Sequence, residues 1–154
     1  MSTPTVTWPL TIYYDRSCPL CAAEMHALIA HDRAGQLTLI DCSVAGFSDS
    51  EATAAGVSPA QMSTLIHARD ASGLWYRGID VFVLAYGAVG LTSMARIFDY
   101  APLRPVWDRL YPWVARHRLA LSRFGLPRVY GWLVRRAALH AARRQCRDAG
   151  CARQ

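Results

Sequence analysis

The run Leu10-Thr11-Ile12-Tyr13-Tyr14 leads through Asp15-Arg16-Ser17 into Cys18-Pro19-Leu20-Cys21, and no other stretch constrains the chain as tightly. Leu10 to Tyr14 is β-branched and aromatic, Asp15 to Ser17 is turn material, and Leu20 to Arg33 is rich in helix formers, so two thiols are expected where a strand becomes a helix. The first turn of a helix carries unpaired N–H groups and the positive end of the macrodipole, and both favour thiolate over thiol. Cys18 is therefore the expected nucleophile, with a lowered pKa. Cys21, three residues on, shares its helical face and lies within reach of a disulfide. One thiol attacks and the second resolves. Pro19 and Leu20, between the thiols, and Arg16 and Ser17, before them, are the expected site lining.

The same dithiol also reads as half of a thiolate metal site for zinc or copper. A structural site needs four ligands, and the other closely spaced pair is Cys146 with Cys151. A strand–dithiol–helix context without an export signal favours redox chemistry, which needs no dissociable cofactor and no metal. Cys146 and Cys151, on a polar tail, are candidates for an electron relay to the first pair.

Ile12-Tyr13-Tyr14 followed by Asp15-Arg16-Ser17-Cys18-Pro19-Leu20-Cys21 resembles the signature of the DCC family of thiol–disulfide oxidoreductases, also called DUF393 and named for its Asp-x-x-Cys-x-x-Cys motif. The Cys-Pro-x-Cys form is similar to that of glutaredoxins. The likeness extends to Asp70-Ala71-Ser72-Gly73, to Arg77-Gly78-Ile79-Asp80, and to Tyr111 with Ala115-Arg116-His117-Arg118. It implies a thioredoxin-like fold and exchange with a disulfide or thiol substrate. Arg16 departs from the family, which usually has glycine there; a positive charge in the turn would stabilise the Cys18 thiolate or change access to it.

The 154 residues, 53% of them hydrophobic, are enough for one buried core. Met1 to Pro9 shows neither a basic n-region nor an apolar h-region, so a cytoplasmic location is expected. Val81 to Ala95 is too short to span a bilayer and reads as a buried helix. Five cysteines, at 18, 21, 42, 146 and 151, do not make a secreted disulfide framework. Cys42, near the end of a strand, reads as a buried small hydrophobe.

In order, the chain predicts a strand at Leu10 to Tyr14, a helix stopped by Gly35, a strand at Leu37 to Cys42, a short helix from Ser48 to Gly56, a strand from Met62 to Arg69, a turn at Asp70 to Gly73, a partner strand from Leu74 to Arg77, and a helix capped by Asp80. The result is an α/β fold of thioredoxin-like order β-α-β-α-β-β-α with a four-stranded mixed sheet. Thioredoxins and glutaredoxins place a cis-proline just before the third strand, opposite the dithiol, where neighbouring backbone pairs with substrate. Pro59 comes several residues too early for that, which leaves Met62 or Ser63 to face the dithiol and puts glutathione or peptide binding in the usual manner in doubt.

Charge is uneven. Residues 1–100 hold 5 arginines against 9 acids, and residues 101–154 hold 12 against 2. The division expected is a thioredoxin-like domain over 1–100 and an arginine-rich helical extension over 101–154 packed on it. Pro105 and Pro112 predict helix starts at Val106 and Trp113, and a last helix is expected from Arg128 to Arg144. On that helix Tyr130, Leu133 and Val134 share an apolar arc, while Trp132 and Leu139 fall among arginines, a pattern suited to a solvated basic face, an anionic membrane surface or a protein partner. No helix-turn-helix, zinc-finger or RNA-binding signature accompanies it, which disfavours nucleic acid. The histidines lack ligand spacing. Asp15, three residues before Cys18, is the acid expected to cap the helix or to accept the Cys21 proton.

Overall fold

The computed structural model describes residues 6–123, 128–129, 131–136 and 139. Its strands are β1 (Leu10–Tyr14), β2 (Leu37–Asp41), β3 (His67–Arg69) and β4 (Trp75–Arg77), and its helices are α1 (Pro19–His31), α2 (Ser50–Ala54), α3 (Pro59–Thr64), α4 (Ile79–Ala88), α5 (Thr92–Asp99) and α6 (Arg104–Arg123). The strands form one mixed sheet ordered β2-β1-β3-β4. β1 and β2 are parallel, with Ile12 beside Leu39, while β1–β3 and β3–β4 are antiparallel, with Ala68 between Ile12 and Tyr76. This is the thioredoxin-like layout, and the uninterrupted apolarity of β1 fits its central place.

The two-residue period of β1 divides the core. Leu10, Ile12 and Tyr14 pack on one side with Met25 and Leu28 of α1 and with Val81, Phe82, Ala85 and Tyr86 of α4. Tyr13 points to the other side, where Cys42, Ala52 and Met62 enclose it and Trp75 stacks on its ring at 5.2 Å. Cys42 is buried as expected, its S–H donating to the Tyr14 carbonyl at 3.1 Å. α6 lies across α1, α3, α4 and α5.

The structure differs from the sequence reading in four places. The run Val81 to Ala95 is not one buried helix: α4 ends at Ala88 and α5 begins at Thr92, with Gly90 at φ +75° between them. The strand expected over Met62 to Arg69 is shortened to β3, because Pro59 at the first helical turn and a reciprocal Ser58–Gln61 capping box start α3 instead. Asp80 does not cap α4. Gly78 does, at φ +63°, which a side chain would strain, and Asp80 inside the first turn pairs with Arg104 at 2.5 Å. Finally, Pro105 and Pro112 do not begin separate helices: α6 runs through Pro112. Trp107 and Tyr111 packed in the core before that proline and Arg118 bonded after it hold both halves in one helix, against the local preference of proline for a first turn. The last helix is described only in part; within it Val134 is buried in the core, and the Arg136 guanidinium lies 5.1 Å from the Trp132 ring centre.

At the far end of β3, buried Asp70 organises a turn. It accepts from Ser72 N–H at 2.9 Å, Ser72 hydroxyl at 2.6 Å, Leu74 N–H at 3.0 Å and Thr7 N–H at 3.3 Å. Burial by itself raises the Asp70 pKa, but these bonds outweigh it and hold the carboxyl below its ordinary value. A depressed folded pKa contributes stability that is complete above the unfolded value, about 3.9, and lost as pH falls through the folded one. Asp70→Asn should therefore flatten the fall in melting temperature below about pH 4, and thermal melts of both forms across that range check it.

Candidate redox site

The dithiol sits where β1 ends. Asp15 Oδ1 accepts the Ser17 N–H at 2.9 Å and the Ser17 hydroxyl at 2.5 Å, and the Asp15 carbonyl accepts the Cys18 N–H at 3.3 Å, so the chain turns tightly into α1. The residue that caps α1 is Cys18, not Asp15: its backbone is extended at φ −86° and ψ 112°, and its sulfur accepts the Cys21 N–H at 3.4 Å. Pro19 follows at the first helical position, where its missing N–H leaves no donor unpaired.

Cys21 Sγ–H donates to Cys18 Sγ at 2.8 Å. That bond is the main reason the Cys18 pKa falls from 9.0 to about 6; burial opposes it, while the Cys21 N–H and the Arg118 charge add to it. The same bond pushes the Cys21 thiol well above its ordinary value, reinforced by burial and by the neighbouring thiolate. The pair therefore holds one proton near neutral pH, and Cys21 carries it. Cys18 has no solvent-exposed surface and Cys21 is half-buried, so the second is the more accessible residue of the two.

Arg118 comes from α6. Its Nη2 donates to Asp15 Oδ2 at 2.5 Å, with the side chains of Arg118 and Asp15 only 17% and 10% exposed. Tyr111, one face up the same helix, accepts the Ile66 N–H on its phenol oxygen at 3.1 Å. Tyr111, Val114, Ala115 and Arg118 recur at helical spacing on the face that closes a cavity of about 60 Å³ over Cys21. Asp15, Leu20, Glu24 and Met62 line the same cavity.

Of the residues read as site lining, Leu20 and Met62 are beside Cys21. Arg16 is exposed and gives its N–H to Asp41 at 3.2 Å, Ser17 is spent on Asp15, Pro19 is exposed, and exposed Ser63 bonds the Ala60 carbonyl within α3. Ser63 was placed at the dithiol by the strand that α3 replaces. The sequence reading gave Arg118 and Tyr111 only as part of the family likeness, not as site residues, and did not single out Glu24. The signal for the first two was present: a lone arginine at the end of an otherwise apolar stripe at 111, 114, 115 and 118. Cys146 and Cys151, the relay candidates, lie outside the described residues. Among the described residues, no cluster of three or more His, Cys, Asp or Glu side chains is placed to hold a metal ion, and no helix is long and apolar enough to cross a membrane.

The stretch that holds this dithiol and Asp15 falls within residues 12–124, which match the profile of one family, the DCC1-like thiol-disulfide oxidoreductases. The chain belongs to that family. The match runs from β1 through the end of α6, so it takes in the helix that brings Arg118 to the dithiol. An uncharacterized chloroplastic protein of Arabidopsis thaliana is 27% identical over 116 residues, which are 75% of this chain and 53% of that protein. The chain thus spans about half the length of this curated relative. No solved structure matches it.

Proposed function

We propose that this DCC1-like protein exchanges disulfides by a dithiol mechanism in which Cys18 attacks and Cys21 resolves. The observation that carries the reading is the 2.8 Å sulfur–sulfur hydrogen bond at the start of α1, which leaves a thiolate on Cys18 and a proton on Cys21. A substrate disulfide enters past Cys21, whose side chain swings off Cys18. The Cys18 thiolate bonds to one substrate sulfur and the other leaves, taking the Cys21 proton as it goes. The new Cys21 thiolate then attacks the Cys18 sulfur, releasing the second substrate thiolate and closing the Cys18–Cys21 disulfide. The substrate gains two electrons and the protein loses two. Asp15, with its oxygens engaged by Ser17 and Arg118, serves as a positioning residue for Arg118 rather than as proton acceptor. The reaction belongs in a reducing compartment; the cytoplasmic expectation fits that, and the plant relative is named chloroplastic.

The test is a titration of the reduced protein by ultraviolet thiolate absorbance. One thiolate should appear with a midpoint near pH 6. It should vanish in Cys18→Ser, and its midpoint should rise in Cys21→Ala, because the bond from Cys21 is the main cause of the depression. A wild-type midpoint near 9 would contradict the assignment.

A further inference from the structure

Outside the small cavity over Cys21 lies a larger one of about 280 Å³, separated from it only by shared walls that include Leu20, Phe82 and Tyr111. Among the described residues, the outer cavity is walled almost entirely by carbon: Phe82, Phe98, Trp107, Leu110 and Leu133 are among its side chains, and Glu24 is the one carboxylate. An apolar cavity of roughly 150 Å³ already accepts benzene. This one has room for an aromatic ring and the atoms that join it to a sulfur.

One further observation narrows the occupant. Ile66, which precedes β3 and lines the Cys21 cavity, has both backbone groups in use: its N–H donates to Tyr111 and its carbonyl accepts the Gly78 N–H at 3.0 Å. An extended peptide therefore finds no free backbone there to pair with.

We infer that the outer cavity binds the apolar group of a small disulfide and presents its sulfurs to the dithiol. The inference rests on the exchange reading above and adds the substrate class to it. In one turnover the substrate disulfide becomes two thiols while the Cys18 and Cys21 thiols become a disulfide, which a dithiol reductant then reopens.

The experiment follows oxidation of the reduced full chain by dibenzyl disulfide and by hydroxyethyl disulfide, with free dithiothreitol as the intrinsic reference. Both compounds are neutral and differ in apolar surface. Relative to the reference, the protein should prefer dibenzyl disulfide by roughly tenfold or more, and its rate with that compound alone should saturate. Leu110 and Leu133 are 41% and 45% exposed at the cavity mouth. Leu110→Trp and Leu133→Trp should each collapse the preference several-fold, while Leu74→Trp, in the β3–β4 turn, should keep it. A preference no greater than that of dithiothreitol, or one that both mouth variants retain, overturns the substrate class and leaves the exchange reading standing. Failure of both disulfides to oxidise Cys18 and Cys21 overturns the exchange reading, and this inference with it.

Discussion

Cys18→Ser should abolish disulfide reduction, by about a thousandfold or more, whereas Cys21→Ala should stop the reaction one step later and accumulate a mixed disulfide. The asymmetry follows from where the single proton resides. With a pKa of about 6, Cys18 is mostly thiolate at neutral pH, while Cys21 is held protonated by the same hydrogen bond. A serine hydroxyl at position 18 is no nucleophile under these conditions, and Cys21 cannot replace it, because its own thiol is pushed in the opposite direction. Removing Cys21 leaves the attacking sulfur but takes away the bond that acidifies it, so the first step slows and the second has no thiol to carry it out. The readout is mass spectrometry of each variant after exposure to a disulfide. Located by peptide mapping, an adduct on Cys18 of Cys21→Ala and none on Cys21 of Cys18→Ser is the expected pattern; the reverse assigns the attack to Cys21, the more exposed residue of the pair.

What the sequence made legible was local. The strand–turn–dithiol–helix order depends on residues within a dozen positions of one another, and β1, α1 and the thiol pair followed from propensity, turn chemistry and spacing. Asp15 and Ser17, like Asp41 with Ser43 and Asp70 with Ser72, form an aspartate-to-serine turn after a strand, a device readable wherever those types stand two apart. What depended on distant partners was not legible. The apolar run Met62 to Arg69 reads as one strand until the Ser58–Gln61 box is recognised as a helix start. Pro112 reads as a boundary until core contacts at Tyr111 and the ion pair at Arg118 are known to span it. The largest omission was α6 as part of the site. A surplus of arginines drew attention to charge as a surface property, although one of them, at the end of an apolar stripe, is the cation that faces the dithiol.

The ion pair formed by that arginine gives the other large effect. Arg118 and Asp15 are both mostly buried, and removing one member of a buried pair strands the other charge at a cost of about 3 kcal/mol, or roughly 10 °C in melting temperature for a chain of this size. Asp15→Ala and Arg118→Ala should each fall by about that much, and the double variant should fall by clearly less than the two together, since it leaves no charge unpaired. A purely structural clamp would stop there. Because Arg118 also lowers the pKa of Cys18, the single variants should part company on the thiol. Arg118→Ala removes a positive charge and moves the midpoint of thiolate formation upward from about 6, with Arg118→Lys restoring part of the shift. Asp15→Ala frees the guanidinium from its counter-ion and moves the midpoint downward. Equal losses of stability with opposite shifts of the same thiol are the signature of a charge held in place for the dithiol. Shifts in the same direction in both variants would mean that loosening α6 over Cys21, rather than the charge it carries, sets the acidity of Cys18.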